Sequence, residues 1–347
     1  MPYISARLGA RSIVAAAAVA CCVLLPGRAA ASVTLSNWDA TQQRQVLSAG
    51  LMTNVGRSFQ GGSTLSASQA NAAMAALSTR LARQTGAAQA RVAVATRSTV
   101  SVVTFDRMVV QQLGLSDVAS HVQSAAAAGG LQPPSYFGSE VVARFLGLRY
   151  DHPAGTDQLE LFPTDLITRA EAAWSLAQVA HFGDWTASYA RDTLMGFSLP
   201  AMTGSQRQAL TIAASRIGYP YVWGGTTDDT SDGLAHGGFD CSGFAWRVFK
   251  VSGLPWGREI RGRTAAQQAG EIPRSQRLRM TQLRPGDLLF FGTAKFNSTA
   301  TEANVIHEGI YLGNNWVIHS SGQGVYVEPL KGSWLGNEFT WGRRVIN

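Results

Sequence analysis

The chain has 347 residues, of which 46% are hydrophobic and 15% are charged, and its net charge is +7. This composition is too apolar and too weakly charged for a disordered protein, and its glycines and prolines lack the period of collagen. The positive charge comes from scattered arginines without a Lys/Arg block, so we expect no nucleic-acid partner. A chain of this length is predicted to form about two domains.

The first 31 residues have the pattern of a secretory signal peptide. Arg7 and Arg11 precede the uncharged apolar run 13–25, and alanines 29–31 supply the small residues of a cleavage site before Ser32. The apolar run is shorter than the roughly 20 residues that a membrane-spanning helix needs. We therefore predict a signal peptide at 1–31 and a secreted protein, extracellular or associated with the cell wall, without a membrane span.

Removal of this segment changes the cysteine count. Cleavage before Ser32 removes Cys21 and Cys22 and leaves Cys241 alone, and the loss of three arginines lowers the net charge from +7 to +4. A lipoprotein anchor at Cys21 is disfavoured because the apolar run 22–25 would then start the mature chain. A lone thiol in an oxidising compartment is either a buried, inert side chain or a reactive group.

Residues 32–202 are rich in alanine and are predicted to be helical. Two capping boxes, SASQ at 66–69 and TRAE at 168–171, each open a run with apolar residues at helical spacing. The first of these helices is expected to stop near Gly86. The lead-ins to the two boxes are similar and the stretch 104–115 shows part of the same pattern, which indicates weak internal repetition.

The second box lies in a segment, FPTDLITRAE at 162–171, that resembles the S-layer homology repeat. The resemblance implies a helical module that holds the protein to a cell-wall polymer, with Arg169 as the residue that contacts the wall. A helical packing domain without a ligand is an equal alternative, because an alanine-rich stripe is usually part of a core.

The sequence changes in character after residues 200–204, which indicates a second region at 203–347. A helix capped by the box SQRQ at 205–208 is predicted to end at Gly218. Its predicted buried stripe consists of Leu210, Ala213, Ala214 and Ile217. The β-type runs that follow are 287–291, 305–312, 316–319 and 324–327.

Cys241 stands where a loop is expected to turn into a helix, in the run DCSGF at 240–244. The first amides of a helix lack internal acceptors and carry partial positive charge, which favours a thiolate and lowers the pKa of a thiol. Cys241 is therefore a candidate nucleophile. Its backbone N–H would point at the oxyanion formed when its sulfur attacks a carbonyl.

Two histidines on neighbouring β-type runs are candidates for the base that a nucleophilic cysteine needs. Pairing of Leu312 with Trp316 across a three-residue loop would place both histidines on one face of the hairpin. His307 and His319 would then lie diagonally, with Gly309 leaving room between them. A two-residue loop would place them on opposite faces, so the arrangement requires the odd loop or a bulge.

A zinc site is the metal-binding alternative for one cysteine and two histidines. The spacings are 66 residues from Cys241 to His307 and 12 from His307 to His319, which match no compact zinc finger. We therefore expect no metal and no other cofactor.

Six motifs in order resemble the NlpC/P60 family of papain-like cysteine peptidases over residues 205–347. They are PYVWGG at 220–225, FDCSGF at 239–244, RTAAQ at 263–267, RPGDLLFF at 284–291, HEGIYLG at 307–313 and VIHSSG at 317–322. The resemblance implies an α+β papain-like fold, with an antiparallel sheet packed against helices. It also implies cleavage of peptidoglycan stem peptides between D-glutamate and a diamino acid. Cys241 matches the nucleophile, His307 the base and His319 the third polar residue.

The same resemblance assigns residues around the substrate. Tyr221 matches the tyrosine beside the oxyanion and substrate, and Asp240 and Ser242 match positions that line the cleft. Asp240 is also well suited to cap the following helix. Arg263 would meet a substrate carboxylate, with a structural or exposed arginine as an equal alternative.

Two features depart from the family pattern. Glu308 stands where an aliphatic residue is usual, and strand alternation sends it to the packed face, where it must find a partner or reach water. The insertion 226–238 is longer than expected, and an acidic solvated loop is favoured there over a cation site. Its titratable residues are Asp228, Asp229, Asp232 and His236. The insertion and the polar loop 293–304 are expected to border the cleft.

The sequence therefore predicts a secreted peptidoglycan endopeptidase with a Cys-His-His mechanism. A helical region at 32–202 precedes the peptidase domain at 203–347. The expected partners are stem peptides and, through the helical region, a cell-wall polymer. The alternatives are an amidase or acyl transferase with the same triad, and a non-catalytic cell-wall adhesion protein.

Overall fold

The computed structural model describes residues 38–85, 94–95, 97–183, 185–228 and 237–346. The predicted signal peptide at 1–31, the helix stop at Gly86 and residues 229–236 of the insertion lie outside this set. The region limits 32–202 and 203–347 stay predictions from the sequence.

The described part of the N-terminal half is helical, as predicted. Its helices are α1 (Ala40–Ser48), α2 (Ala67–Thr85), α3 (Val102–Gln112), α4 (Ser116–Ala128), α5 (Phe137–Phe145), α6 (Arg169–Ala180) and α7 (Thr186–Leu194). Their apolar stripes meet in a core that includes Met74, Leu77, Phe105, Phe137 and Leu176, all almost fully buried. Helix stability here comes mainly from burial of these stripes.

Three short extended segments that precede α2, α3 and α6 pair with one another. Thr64 pairs with Thr168, Ser66 with Thr99, and Ser101 with Leu166, so that each segment contacts the other two. Backbone hydrogen bonds close this ring, including Leu65 N to Ile167 O at 2.9 Å and Ile167 N to Val100 O at 3.0 Å. The internal repetition in the sequence therefore corresponds to three segments that are joined in space.

The helix caps follow the predictions in part. The box at 66–69 is complete, because Ser66 Oγ accepts from Gln69 N at 3.3 Å and Gln69 Oε1 accepts from Ser66 N at 2.9 Å. The box predicted at 205–208 is wrong, because Thr203 and Gln206 form the capping box of α8 (Gly204–Ala214). Helix α8 also ends at Ala214 instead of Gly218, although Ile217 is buried as expected.

Arg169 is largely buried and lines a small cavity beside α2. Its side chain is 2% exposed, and Nε donates to the carbonyl of Phe59 at 2.8 Å while Nη2 donates to that of Thr53 at 2.6 Å. The guanidinium also lies 4.6 Å from the centre of the Phe59 ring. Two of its donors therefore hold the loop before α2, and contact of Arg169 with a wall polymer stays a prediction.

The C-terminal half contains a five-stranded antiparallel sheet with helices packed on it. The strands are β3 (Leu288–Phe291), β4 (His307–Gly313), β5 (Trp316–Ser321), β6 (Gly324–Pro329) and β7 (Phe339–Arg343), in the order β6-β5-β4-β3-β7. Two short strands, β1 (Thr226–Thr227) and β2 (Gly238–Phe239), form a separate pair. The helices are α9 (Cys241–Val251), α10 (Ala265–Gly270) and α11 (Trp334–Glu338). This is the predicted α+β architecture, and α9 packs against β4 and β5.

Strand β7 was not predicted, and it pairs with β3 across nearly 50 residues of chain. No helix among the described residues has the length and apolar character needed to cross a membrane.

Arg144 of α5 joins the helical half to the sheet half. Its Nε donates to Glu140 Oε2 at 3.1 Å, Nη2 donates to the carbonyl of Gly218 at 2.5 Å, and Nη1 donates to the carbonyl of Gln323. Both Arg144 and Glu140 are buried. A buried arginine with three acceptors of this kind fixes the relative position of the elements that carry them.

We predict that Arg144→Ala lowers the free energy of unfolding by about 3–5 kcal/mol, because it leaves the buried Glu140 without its ion pair. Urea denaturation followed by tryptophan fluorescence measures the change. The matched control is Arg191→Ala, which removes the exposed pair with Asp117 and should cost less than about 1 kcal/mol. Equal effects of the two substitutions would contradict this role of Arg144.

Candidate active site

The carboxylate of Asp240 organises the start of α9. Its Oδ1 accepts from Gly243 N at 2.7 Å and its Oδ2 accepts from Gly224 N at 3.0 Å, so one side chain caps the helix and holds the preceding loop. Glycine is required at position 243, because a Cβ there would lie 1.9 Å from the carbonyl oxygen of Gly225. Cys241 is thereby held in the first turn of α9, as predicted.

The pKa of the Cys241 thiol differs from the one predicted from the sequence. Burial, together with the nearby Asp240 carboxylate, raises the pKa of Cys241 to about 12. The backbone N–H groups of Ser242 and Glu308 act in the opposite direction but do not offset the burial. The expected lowering of the pKa by the helix terminus is therefore wrong for the resting site, because desolvation of the thiolate outweighs the partial charge of the helix.

His307 and His319 lie on one face of the β4–β5 hairpin, although the hairpin does not have the three-residue loop that was predicted. The turn contains two residues, Asn314 and Asn315, both at positive φ as in a type I′ turn. Gly313 pairs with Trp316, and a bulge between Tyr311 and Gly313 shifts the register. The predicted pairing of Leu312 with Trp316 is therefore wrong, and the bulge supplies the change of side-chain parity.

The bulge brings the two imidazoles into contact. Gly309 pairs with His319, as predicted, and a Cβ at position 309 would lie 3.1 Å from that of His319. His307 Nε2 lies 2.7 Å from His319 Nδ1. Burial, together with repulsion from His319, lowers the pKa of His307 well below its ordinary value. The resting site therefore combines a neutral thiol with a neutral imidazole at His307.

Glu328 on β6 extends this pair. Its Oε1 lies 2.9 Å from His319 Nε2, and it also accepts from the hydroxyl of Tyr326 at 3.0 Å and from Trp334 Nε1 at 3.1 Å. The negative charge of the carboxylate favours a proton on His319 Nε2, although the two groups are not aligned for a hydrogen bond. His307 then donates from Nε2 and keeps Nδ1 as its basic nitrogen.

A cleft of about 540 Å³ is lined by six of the seven predicted site residues: Tyr221, Asp240, Cys241, Ser242, Arg263 and His307. The seventh, His319, is fully buried behind His307.

Three of the cleft residues are bound to one another. Arg263 donates from Nη2 to Asp240 Oδ2 at 2.7 Å and from Nη1 to Ser242 Oγ at 3.1 Å, and the Ser242 hydroxyl donates to the carbonyl of Arg263 at 2.8 Å. The structure therefore gives Asp240, Ser242 and Arg263 a clear structural part in building one wall of the cleft.

Several residues that contribute to the candidate site were not predicted from the sequence. Asp151, Trp223 and Glu302 line the cleft, and Glu328 supports His319. Glu302 belongs to the loop 293–304, which therefore borders the cleft as predicted. Asp151 lies far from the motifs in sequence, whereas Glu328 lies shortly after the motif at 317–322, and no local pattern marks either of them.

Glu308 is fully buried, and neither of its carboxylate oxygens has a hydrogen-bond partner among the described residues. Burial raises the pKa of Glu308 well above its ordinary value.

In the insertion 226–238, Asp228 pairs with Arg216 at 2.7 Å and with Arg247 at 3.6 Å. The other titratable residues of the insertion, Asp229, Asp232 and His236, lie outside the described part of the chain. Within that part, no three His, Cys, Asp or Glu side chains are grouped to hold a metal ion.

Comparison with known proteins places this site in a family. The NlpC/P60 family model matches residues 218–344. A probable peptidoglycan endopeptidase of Bacillus subtilis, LytE, is 33% identical over 132 residues, which cover 38% of this chain and 32% of the relative. The bifunctional muramidase/DL-endopeptidase CwlT of the same organism is 32% identical over 127 residues, which cover 36% of this chain and 32% of the relative.

Among solved structures, the NlpC/p60 domain of the peptidoglycan hydrolase SagA is 29% identical, with a TM-score of 0.31. That match covers 40% of this chain and 97% of the SagA domain. The chain matches about a third of the length of each of the two curated relatives named above. Residues 218–344 of this chain form an NlpC/P60 domain, and the family expected from the six motifs is confirmed for these residues.

We predict that alkylation of Cys241 by iodoacetamide is slow at neutral pH and speeds up by about tenfold per pH unit between pH 7 and 10. A thiol whose pKa is raised to about 12 gains thiolate in that proportion throughout this range. Mass spectrometry of the peptide that contains Cys241 gives the rate separately from any label on Cys21 or Cys22. A fast plateau that extends below pH 7 would instead indicate a preformed thiolate–imidazolium pair.

Proposed function

We propose that this protein is a peptidoglycan hydrolase that cleaves stem peptides with Cys241 as nucleophile. The observation that carries the proposal is a thiol at the start of a helix that shares a cleft with His307, whose far nitrogen is hydrogen-bonded to His319. The names of the related proteins, a peptidoglycan endopeptidase and a DL-endopeptidase, support the same substrate class. The proposed bond is the one between D-glutamate and a diamino acid.

The first step is attack of the Cys241 sulfur on the carbonyl carbon of this bond. Because the resting thiol and imidazole are both neutral, His307 takes the thiol proton at Nδ1 while the carbon–sulfur bond forms. His319 and the carboxylate of Glu328 stabilise the resulting imidazolium by hydrogen bonding and by charge. A proton transfer that accompanies attack avoids an isolated thiolate in the buried site.

The tetrahedral intermediate carries a negative oxygen beside the start of α9. The backbone N–H of Cys241 has no acceptor within the helix and is available to this oxygen. Burial raises the pKa of Tyr221 above its ordinary value, so its hydroxyl stays protonated and can donate as well. His307 then gives its proton to the leaving amine as the carbon–nitrogen bond breaks. Water hydrolyses the thioester, with His307 again as base.

The same chemistry supports two other reactions, release of a peptide from the sugar by an amidase and transfer of the acyl group to an amine. A secreted location, extracellular or at the cell wall, is part of the proposal and rests on the sequence pattern at 1–31 and on the wall substrate. Binding of a wall polymer by region 32–202, with Arg169 as a contact, stays a prediction from the sequence.

We predict that the protein releases stem fragments cut after the second residue from purified peptidoglycan, and that Cys241→Ala lowers the rate by about three orders of magnitude or more. Fragments are separated by chromatography and identified by mass spectrometry. The variant loses the sulfur that forms the acyl intermediate but keeps the helix cap at Asp240. Matching thermal unfolding curves of the two proteins establish that the loss is chemical.

The identity of the fragments decides between the reactions. Peptides freed from the sugar would indicate an amidase, and fragments joined to an added amine would indicate a transferase. Binding to peptidoglycan without release of fragments by either protein would contradict the hydrolase proposal and favour wall adhesion.

We predict that Glu328→Gln lowers kcat by about 10- to 100-fold with little change in KM, because an amide no longer sets the protonated nitrogen of His319. Loss of this negative charge also lowers the pKa of the His307 imidazole, so the acidic limb of the pH profile should move to lower pH. Kinetics on a synthetic stem peptide across pH measures both effects.

The matched control for this substitution is Glu338→Gln, since Glu338 is a half-buried glutamate of α11 that does not line the cleft. Glu328→Asp should recover part of the rate. A fall in rate without any shift of the pH profile would mean that Glu328 is needed for folding only and would contradict its positioning role.

A further inference from the structure

Arginines that are scattered along the C-terminal sequence gather on one surface of the fold. Residues 272–300 contain four arginines and one lysine, and Asp287 is their single acidic residue. Asp287 is buried and paired with Arg344 at 2.9 Å, so it does not offset these charges. Glu271, which precedes the stretch, is likewise paired with Arg343 at 2.6 Å. The stretch therefore carries an excess of positive charge.

Pairing at the edge of the sheet sets the direction of two of these arginines. Leu278 pairs with Gly342 of β7 through two backbone hydrogen bonds of 2.9 and 2.8 Å. Because side chains alternate along an extended segment, Arg277 and Arg279 lie on the face opposite Leu278. The two guanidinium groups therefore belong to the same side of the sheet edge.

The loop 293–304 packs against this segment and adds a further cation. The guanidinium of Arg279 lies 4.1 Å from the centre of the Phe296 ring, and Lys295 is the exposed residue before that ring. Arg274 Nη2 donates to a threonine hydroxyl of the same loop at 3.5 Å. We call the resulting surface the basic strip, which consists of Arg274, Arg277, Arg279 and Lys295.

Arg277 is the buried member of the basic strip, and it has no carboxylate partner among the described residues. It is 7% exposed, its guanidinium lies 3.8 Å from the centre of the Trp341 ring, and Nη1 donates to the carbonyl of Ser298 at 2.6 Å. Its Nε has no hydrogen-bond partner in the described part of the chain. Burial, followed by the charge of Arg274, lowers the pKa of Arg277. A desolvated guanidinium without a counter-ion favours an anion that a ligand supplies.

The exposed members of the basic strip favour phosphate groups on a linear polymer. Arg274, Arg279 and Lys295 are exposed, and none of them forms an ion pair within the described residues. Guanidinium groups bind phosphate through paired hydrogen bonds, and cations along an extended segment match charges that repeat along a chain. The rings of Trp341 and Phe296 lie under guanidinium groups. The strip therefore offers neither an apolar side chain for a lipid surface nor an open ring for a nucleic-acid base.

The basic strip shares a loop with the cleft. Ala294 N donates to the carbonyl of Asn304 at 2.9 Å, which closes the loop 293–304, and the next two residues, Val305 and Ile306, line the cleft. A polymer held on the strip would therefore lie within one loop of the opening that a stem peptide enters.

We propose that the basic strip binds a phosphodiester-linked anionic polymer of the cell wall and holds the cleft against the wall. The wall location rests on the proposed hydrolase function, whereas anion binding rests on the strip itself. This surface lies in the NlpC/P60 domain and is distinct from the wall contact predicted for region 32–202.

The experiment uses the full chain with Cys241→Ala, so that the wall is not digested, and two preparations of one cell wall. One preparation keeps its phosphodiester polymer, and the other has lost it through hydrofluoric acid, which leaves the peptidoglycan. Cosedimentation should give at least about tenfold tighter binding to the wall that keeps the polymer. This binding should weaken about 10- to 100-fold between about 50 and 200 mM salt, because each neutralised phosphate releases counterions.

The strip variant combines Arg274→Gln, Arg279→Gln and Lys295→Gln and keeps Arg277, which packs within the fold. Its affinity for the wall that keeps the polymer should fall by at least about tenfold. In the active protein, the same three substitutions should leave cleavage of a soluble stem peptide unchanged and slow the release of fragments from that wall. Matching thermal unfolding curves establish that the variant is folded.

The matched control combines Arg57→Gln, Arg83→Gln and Lys250→Gln, which removes the same charge from exposed positions outside the strip. It should bind the wall like its parent. Equal binding by the strip variant and the control, or equal binding to both wall preparations, would overturn the polymer site.

Two further outcomes separate this inference from its alternatives. Tighter binding to vesicles of phosphatidylglycerol than to the polymer would overturn the polymer site in favour of a membrane surface. Polymer binding that depends on the strip, without cleavage of any stem peptide by the parent, would support the strip and contradict the hydrolase. Cleavage of stem peptides without polymer binding would overturn the strip and leave the hydrolase intact.

Discussion

The hydrogen bond between His307 and His319 depends on one extra residue in β4. The hairpin closes with a two-residue turn, which by parity alone would send the two imidazoles to opposite faces. The bulge between Tyr311 and Gly313 leaves Leu312 without a partner and restores the shared face. The register of the next strand follows from the same hairpin, because β6 pairs with β5 and sets Glu328 diagonally from His319.

A second constraint acts through Asp240. Its two oxygens accept from the backbone of Gly243 and Gly224 and from the guanidinium of Arg263. The same carboxylate therefore starts the helix that carries Cys241, holds the loop that carries Tyr221 and orders the opposite wall of the cleft. These hydrogen bonds occupy both carboxylate oxygens of Asp240 and hold the residues that shape the cleft. They favour the interpretation of Asp240 as a helix cap over that of a substrate contact.

Local patterns in the sequence predicted much of the fold and the centre of the site. Helix α9, the strands that carry the histidines and the pairing of Gly309 with His319 follow from capping, alternation and spacing. The cap of α8 was misplaced because the boxes at 203–206 and 205–208 both fit the pattern, and packing decides between them. Strand β7 and Glu328 were missed because their partners are set by the sheet order, which no local pattern contains. The pKa of Cys241 was misjudged because the sequence shows the helix terminus but not the burial.

The helical half holds one wall of the cleft through a set of buried charges. Arg149 is bound to Asp106, and His152 Nε2 lies 2.8 Å from Glu171 Oε1, while the backbone N–H of His152 donates to Glu160 at 2.7 Å. Asp151 lies between these two anchored residues. Burying such groups costs desolvation energy, which apolar packing would avoid, whereas their directional contacts fix the backbone on both sides of one carboxylate. These contacts therefore fix the part of the cleft wall that the helical half supplies before any substrate binds.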